Sequence, residues 1–220
     1  MKKSRLLGAV CACAISFTST SSYAALVSAD WKTTGDNLIT RDDFGLEWLD
    51  LTETTSQNYY SIISQLGIGG QYEGWRYASL ANISNLWVSA GADPNYFTGW
   101  STQNNGVVAN LVEFIGDTYC AQPGVCQPGE VGYAHGITGH GTPDGQVWTA
   151  LASDRSSTLS ETMDEFWLQN VFFPKSSAGG ITLGSYLVRE STAVPLPPAF
   201  WLFGGGLLGL IGMARKNVHA

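Results

Sequence analysis

Apolar positions along the chain recur with two different periods. In residues 56–66, Tyr59, Ile62, Ile63 and Leu66 fall at helical spacing, the run stops at Gly67, and Thr55 or Ser56 can cap its start. A second helix is predicted after Ser79, which can cap it, with Leu80, Ile83, Leu86 and Trp87 on one face and Gly91 as its stop. Short strands are expected at residues 38–40 and 46–49 around a turn cluster of Asp42, Asp43 and Gly45, and at residues 74–78. Residues 131–138, 146–152 and 181–189 carry the β-branched and aromatic content of strands, with glycine turns between them. Residues 107–115 fit helix and strand equally well. Early helices followed by several strands predict an α+β class, and the lack of a fixed-period repeat or low-complexity linker between Asp30 and Glu190 predicts a single domain.

Composition adds a compartment. The first 24 residues combine a basic start (Lys2, Lys3, Arg5), a short apolar run and a small-residue site at Ser22-Tyr23-Ala24, the layout of a secretory signal peptide. Cys13 lies inside that apolar run instead of after it, which argues against lipidation. Export leaves Cys120 and Cys126, separated by Ala-Gln-Pro-Gly-Val, and in an oxidising compartment such a pair reads as a disulfide closing a small loop. A metal site or a redox pair is the alternative, with His135 and His140 the nearest further ligands, at no usual zinc spacing.

Charge removes one class of partner. Residues 30–190 hold all 18 acidic side chains and six of the 11 basic ones, a net of −12, so this segment repels a phosphate backbone and nucleic-acid binding is excluded. No Gly-x-Ser-x-Gly elbow, phosphate loop or His-Glu-x-x-His helix is present. Gly139-His140-Gly141-Thr142 is similar to the histidine segment of subtilisin-like proteases, but no Gly-Thr-Ser nucleophile segment accompanies it, and it reads as a glycine-rich loop. The pairs Asp42–Asp43 and Asp164–Glu165 are candidates for acid–base work, although adjacent acids are usually solvated. No catalytic residue and no cofactor is assigned. Asp42, Asp43, Asp93 and Asp117 offer oxygen ligands for calcium without the spacing of a known calcium loop. Seven tryptophans precede the tail, and Trp31, Trp100 and Trp148 are the candidates for a platform that stacks on sugar rings.

The C-terminus is the most specific segment. Val194-Pro195-Leu196-Pro197-Pro198 is stiff and extended, residues 199–214 contain no charge, and Arg215 and Lys216 follow at once. As a helix, those 16 residues reach about 24 Å, a little short of a hydrocarbon core of about 30 Å. Bordering aromatics and a basic stop make a transmembrane helix with Arg215 and Lys216 on the cytoplasmic side. The layout predicted is thus a signal at 1–24, an exported domain at 25–190, a Pro-rich motif at 191–198, a membrane helix at 199–214 and a basic tail at 215–220.

Val194-Pro195-Leu196-Pro197, then Trp201-Leu202-Phe203-Gly204 and Leu207-Leu208-Gly209-Leu210-Ile211-Gly212, then Ala214-Arg215-Lys216, resemble the PEP-CTERM sorting signal in its Val-Pro-Leu-Pro form. The resemblance covers about a tenth of the chain. It implies recognition by an exosortase, a membrane-embedded transpeptidase-like protease of Gram-negative bacteria. Cleavage near the motif and a final place in the cell envelope or the extracellular matrix would follow. Such proteins usually accompany exopolysaccharide, biofilm or floc formation. In the middle of the chain, Gly45-Leu46-Glu47-Trp48, Gly74-Trp75-Arg76-Tyr77-Ala78-Ser79 and Tyr186-Leu187-Val188-Arg189 are similar to a bacterial surface-domain pattern with a C-type-lectin-like fold. Three functions follow as expectations: a non-enzymatic envelope or matrix protein, a carbohydrate-binding module, and a secreted polysaccharide hydrolase.

Overall fold

The computed structural model describes residues 26–120, 132–154, 163–177 and 179–191. They form a mixed α+β structure of three α-helices and two sheets. The first sheet takes β1 (Val27–Ala29), β2 (Ile39–Arg41), β3 (Leu46–Leu49) and, after helix α1 (Tyr59–Gln65), β4 (Arg76–Tyr77). Helix α2 (Leu80–Ser89) leads to β5 (Thr98–Ser101), and helix α3 (Val107–Ile115) precedes the long hairpin of β6 (Tyr133–Gly141) and β7 (Gln146–Ser153). The chain then adds β8 (Asp164–Trp167), β9 (Phe172–Pro174), β10 (Gly184–Ser185) and β11 (Leu187–Glu190). In the first sheet the order is β1-β2-β3-β11-β4; in the second it is β10-β6-β7-β8-β5, with β9 also on β7.

The last strand therefore pairs with one of the first. In register, Glu47 faces Arg189, Trp48 faces Val188, and Val188 faces Arg76 on its other side. The three segments that carry the surface-domain resemblance lie on the adjacent strands β3, β11 and β4. Glu47, buried at 2% exposure, is held between Arg41 (2.9 Å) and Arg189 (2.8 Å), and the Arg189 guanidinium lies 4.4 Å from the Trp75 ring. One cross-strand row of two cations and an anion thus joins β2, β3 and β11.

This sheet is buried on both faces, which is why β3 shows no simple alternation. Leu46, Trp48 and Val188 join the main core with Leu86 and Trp87 of α2, Val108 and Leu111 of α3, and the inner face of the second sheet. Ile39, Leu49 and Leu187 point the other way, to Ile62 of α1 and to Tyr72 and Trp75. Trp87, Phe97 and Phe166 meet edge to face or tilted, with centroids 5.0–5.7 Å apart, at the centre of the main core.

Helix starts differ from the sequence reading in one case. Ser79 caps α2 as expected, in a reciprocal box with Asn82. Helix α1 begins later, at the cap Asn58, because residues Leu51–Thr54 form a 3-10 helix and Ser56 takes a left-handed φ of 64°, which neither Thr55 nor Ser56 could combine with capping. The ambiguous residues 107–115 are helix. Gly106 at their start offers no side chain, and the Asp164 carboxylate of β8 accepts from the Val108 N–H (2.8 Å) in its place. Residues 181–189, expected as one strand, divide at Tyr186: its N–H goes to the Ile137 carbonyl and its carbonyl accepts from Ala78, so β10 belongs to one sheet and β11 to the other. At Gly136, opposite this crossing, a Cβ would stand 2.7 Å from the Tyr186 ring.

Among the described residues no helix is long and apolar enough to cross a membrane. The predicted signal at 1–24, the motif Val194–Pro197, the helix at 199–214 and Arg215 and Lys216 lie outside them.

Candidate functional site

The outer face of the second sheet gathers aromatic and polar side chains from four strands. Alternation along the strands sends Ala134, Ala152 and Phe166 inward, and their neighbours outward in two cross-strand rows. Tyr133, Ser153, Glu165 and Trp100 form the first row; His135, Leu151, Trp167 and Thr98 form the second. Glu165 accepts from the Trp167 indole N–H (2.6 Å), fixing the ring's direction on the sheet. Between Tyr133, His135, Leu151, Ser153 and Glu165 lies a hollow of about 220 Å³, and Trp167 borders a second, of about 410 Å³, with Phe97, Thr98, Asn95 and Ser84.

His135 sits in the first hollow with its Nε2 3.0 Å from the Thr149 hydroxyl. Burial pushes its imidazole down to about 4, so at neutral pH it serves as an uncharged donor or acceptor. The unfolded chain takes up this proton near pH 6.5 and the folded chain only near pH 4. The contribution is therefore complete above pH 6.5 and is lost as pH falls toward 4, at about 1.4 kcal/mol per unit at most. Half-buried Asp50 and buried Asp164, both raised by desolvation, act in the opposite direction as pH falls. The comparison that isolates the histidine is with His135→Gln: between pH 7 and 4.5 the parent protein should lose about 2 kcal/mol more than the variant in urea titrations. Parallel losses would show that the imidazole is not shielded.

The three predicted platform tryptophans are not brought together. Trp31 belongs to the first sheet's outer cluster, stacked on Tyr72 (5.9 Å), edge-on to Trp75 (6.5 Å) and covered by the Lys32 ammonium (3.5 Å). Its loop is held by Asp36, which accepts from the N–H groups of Trp31, Lys32 and Thr33. Trp148 packs edge-on to Phe172 (5.2 Å) on β7. Trp100, 37% exposed, lies beside Glu165 on the outer face. Sequence alone does not mark Trp167, because the Asp164-Glu165-Phe166-Trp167 segment has no visible strand period.

Neither acidic pair works as a unit, and Asp43 is exposed to solvent, as adjacent acids usually are. Asp42 accepts from the N–H groups of Phe44 and Leu46 and from the Trp48 indole. Asp164 is buried against α3, while Glu165 faces the other side of the sheet, so the two carboxylates do not converge. Asp93 caps the 3-10 helix Pro94–Tyr96, and among the described residues no group of His, Cys, Asp and Glu could hold a metal ion. Gly139-His140-Gly141 lies in β6 and not in a loop; only Thr142 begins the turn. Asp117 accepts from the N–H groups of Tyr119 and Cys120 on one side and of Gly132 and Tyr133 on the other. Cys120 is disulfide-bonded, and its predicted partner Cys126 lies outside the described residues.

No protein-family model, curated protein or solved structure matches the chain.

Proposed function

We propose that this is an exported protein of the cell envelope or extracellular matrix, processed at its C-terminus by an exosortase, whose folded part binds and does not catalyse. The observation that carries the reading is the order of the C-terminal parts: Val194-Pro195-Leu196-Pro197, an uncharged glycine-rich stretch and Arg215-Lys216. The end of the fold agrees with it. Strand β11 closes at Glu190, and Ser191 still donates to the Gly45 carbonyl, so cleavage near Pro197 leaves every described strand in place. The pairing of an early strand with the last, and the meeting of the three motif segments on β3, β11 and β4, support a C-type-lectin-like arrangement for this domain. The separation of Asp164 from Glu165 favours binding over the hydrolase reading, which needs two carboxylates facing one bond.

Replacing Pro195 and Pro197 with Ala in the full chain tests the processing. Membrane insertion depends on hydrophobicity and flanking charge, so an anchor without a protease would be indifferent to these changes. The expected result is a longer, membrane-bound form that accumulates on immunoblots, while the parent protein's intact mass ends near Pro197 and lacks Trp201 and everything after it. Neutralising Arg215 and Lys216 should weaken retention instead. Recovery of the intact tail from the surface protein, in cells with an active exosortase, would overturn the reading.

A further inference from the structure

We propose that the cleft between β8, β5 and the 3-10 helix Pro94–Tyr96 binds a neutral polysaccharide, with Trp167 as its stacking surface. The inference rests on the surface reading only for where such a polymer would be met; the recognition itself is argued from the cleft.

A sugar ring offers one face of C–H groups and a rim of hydroxyls. A site for it needs an aromatic surface for the first and uncharged hydrogen-bonding groups for the second. The cleft, about 410 Å³, supplies both: Trp167, Phe97 and Pro94 on the apolar side, and the amides of Asn95 and Gln169 with the hydroxyls of Ser84 and Thr98 on the polar side. The groups are held in place. Trp167 is directed by its bond to Glu165 (2.6 Å), and the Asn95 amide donates to Asp93 (2.8 Å). The indole also lies 3.6 Å from where a Cβ on Gly99 would stand, an ordinary van der Waals distance, so the ring packs close along this edge strand.

Charge selects among polysaccharides. Among the described residues no lysine or arginine lines the cleft or the adjoining hollow, and the surrounding segment from 30 to 190 carries six basic against 18 acidic residues. A polyanion would be repelled without any local cation to offset the field, whereas an uncharged polymer meets no such barrier. Size points to a polymer. From the cleft the outer face continues past Trp167 and Glu165 to the hollow at Ser153, His135 and Tyr133. Three strand steps of about 4.8 Å separate β5 from β6, so the path is about 14 Å long, more than one sugar ring spans. His135 at its far end is neutral at physiological pH, so among the described residues the path offers no cation and its one carboxylate, Glu165, is engaged by the Trp167 indole.

The test is native affinity electrophoresis of the protein purified from cells, in gels containing a soluble β-glucan, a mannan, a galactan or alginate. At least one neutral polymer should retard the parent protein, and alginate should not. Trp167→Ala should weaken the retardation constant about tenfold, the loss of one stacking contact. Because that substitution could also loosen β8, Gln169→Ala, at an exposed position, should weaken binding severalfold with an unchanged melting temperature. The proposal is overturned if no neutral polymer retards the protein, if alginate alone does so, or if both variants bind like the parent. Binding is read on isolated protein whether or not its tail has been removed. Failure here therefore leaves the processing result standing, and failure of processing leaves this one standing.

Discussion

Glu47→Ala should lower the unfolding free energy by about 3 kcal/mol, enough to bring the melting temperature down by roughly 6–12 °C for a domain of this size. The carboxylate is 2% exposed and sits between two guanidiniums on neighbouring strands. Removing it leaves Arg41 and Arg189 facing each other across β3 with no anion. Their own exposures of 37% and 33% let water relieve part of that cost, which places the estimate at the lower end for broken buried pairs. Arg189 also loses the partner that holds it over Trp75. Arg41→Ala is the contrasting case, because it removes one outer member and leaves the Glu47–Arg189 pair; it should cost about 1 kcal/mol or less. Chemical denaturation of the two variants decides the matter, and equal small effects would show that the row adds nothing to the sheet.

Phe166→Ala should cost about 4 kcal/mol. Its ring is fully buried, 5.0 Å from Trp87 and 5.7 Å from Phe97, and truncation opens a cavity between these two remaining aromatic groups that cannot collapse without moving α2. The residue lies between Glu165 and Trp167, so the near-ultraviolet dichroism of the indoles should fall along with stability. A loss below 1 kcal/mol would mean that the core repacks around the gap.

Much of the first sheet and both early helices can be read from the chain. Ile62 and Leu66 for α1, and Ile83, Leu86 and Trp87 for α2, repeat at the period of a helix with one buried side. The second sheet was half visible. The hairpin β6–β7 announces itself through alternating small and β-branched residues around a Pro-Asp-Gly turn. Strand β5, Thr-Gly-Trp-Ser, is an edge strand with two of its four residues exposed and no aliphatic side chain, and so carries little hydrophobic pattern. Strand β8 opens with Asp164, and an acid there suggests a loop until its role is seen: it caps a helix 56 residues earlier in the chain. Such long-range satisfaction leaves no local trace. The candidate site suffers the same way, since Trp100, Glu165, Ser153 and Tyr133 become neighbours only through strand register.

The position of β11 has a mechanical side. If the C-terminus tethers the molecule while a matrix polymer drags on the opposite sheet, tension enters the fold after Ser191 and runs along this strand. Ladder bonds to β3 and β4 lie across the direction of pull, on both flanks of the strand. Extraction therefore requires two ladders to shear together, where an edge strand would peel away one bond at a time. The Arg41–Glu47–Arg189 row spans the same strands and resists the same sliding. A single-molecule pull from the C-terminus should meet its main resistance here, and Glu47→Ala should lower the force at which the domain gives way.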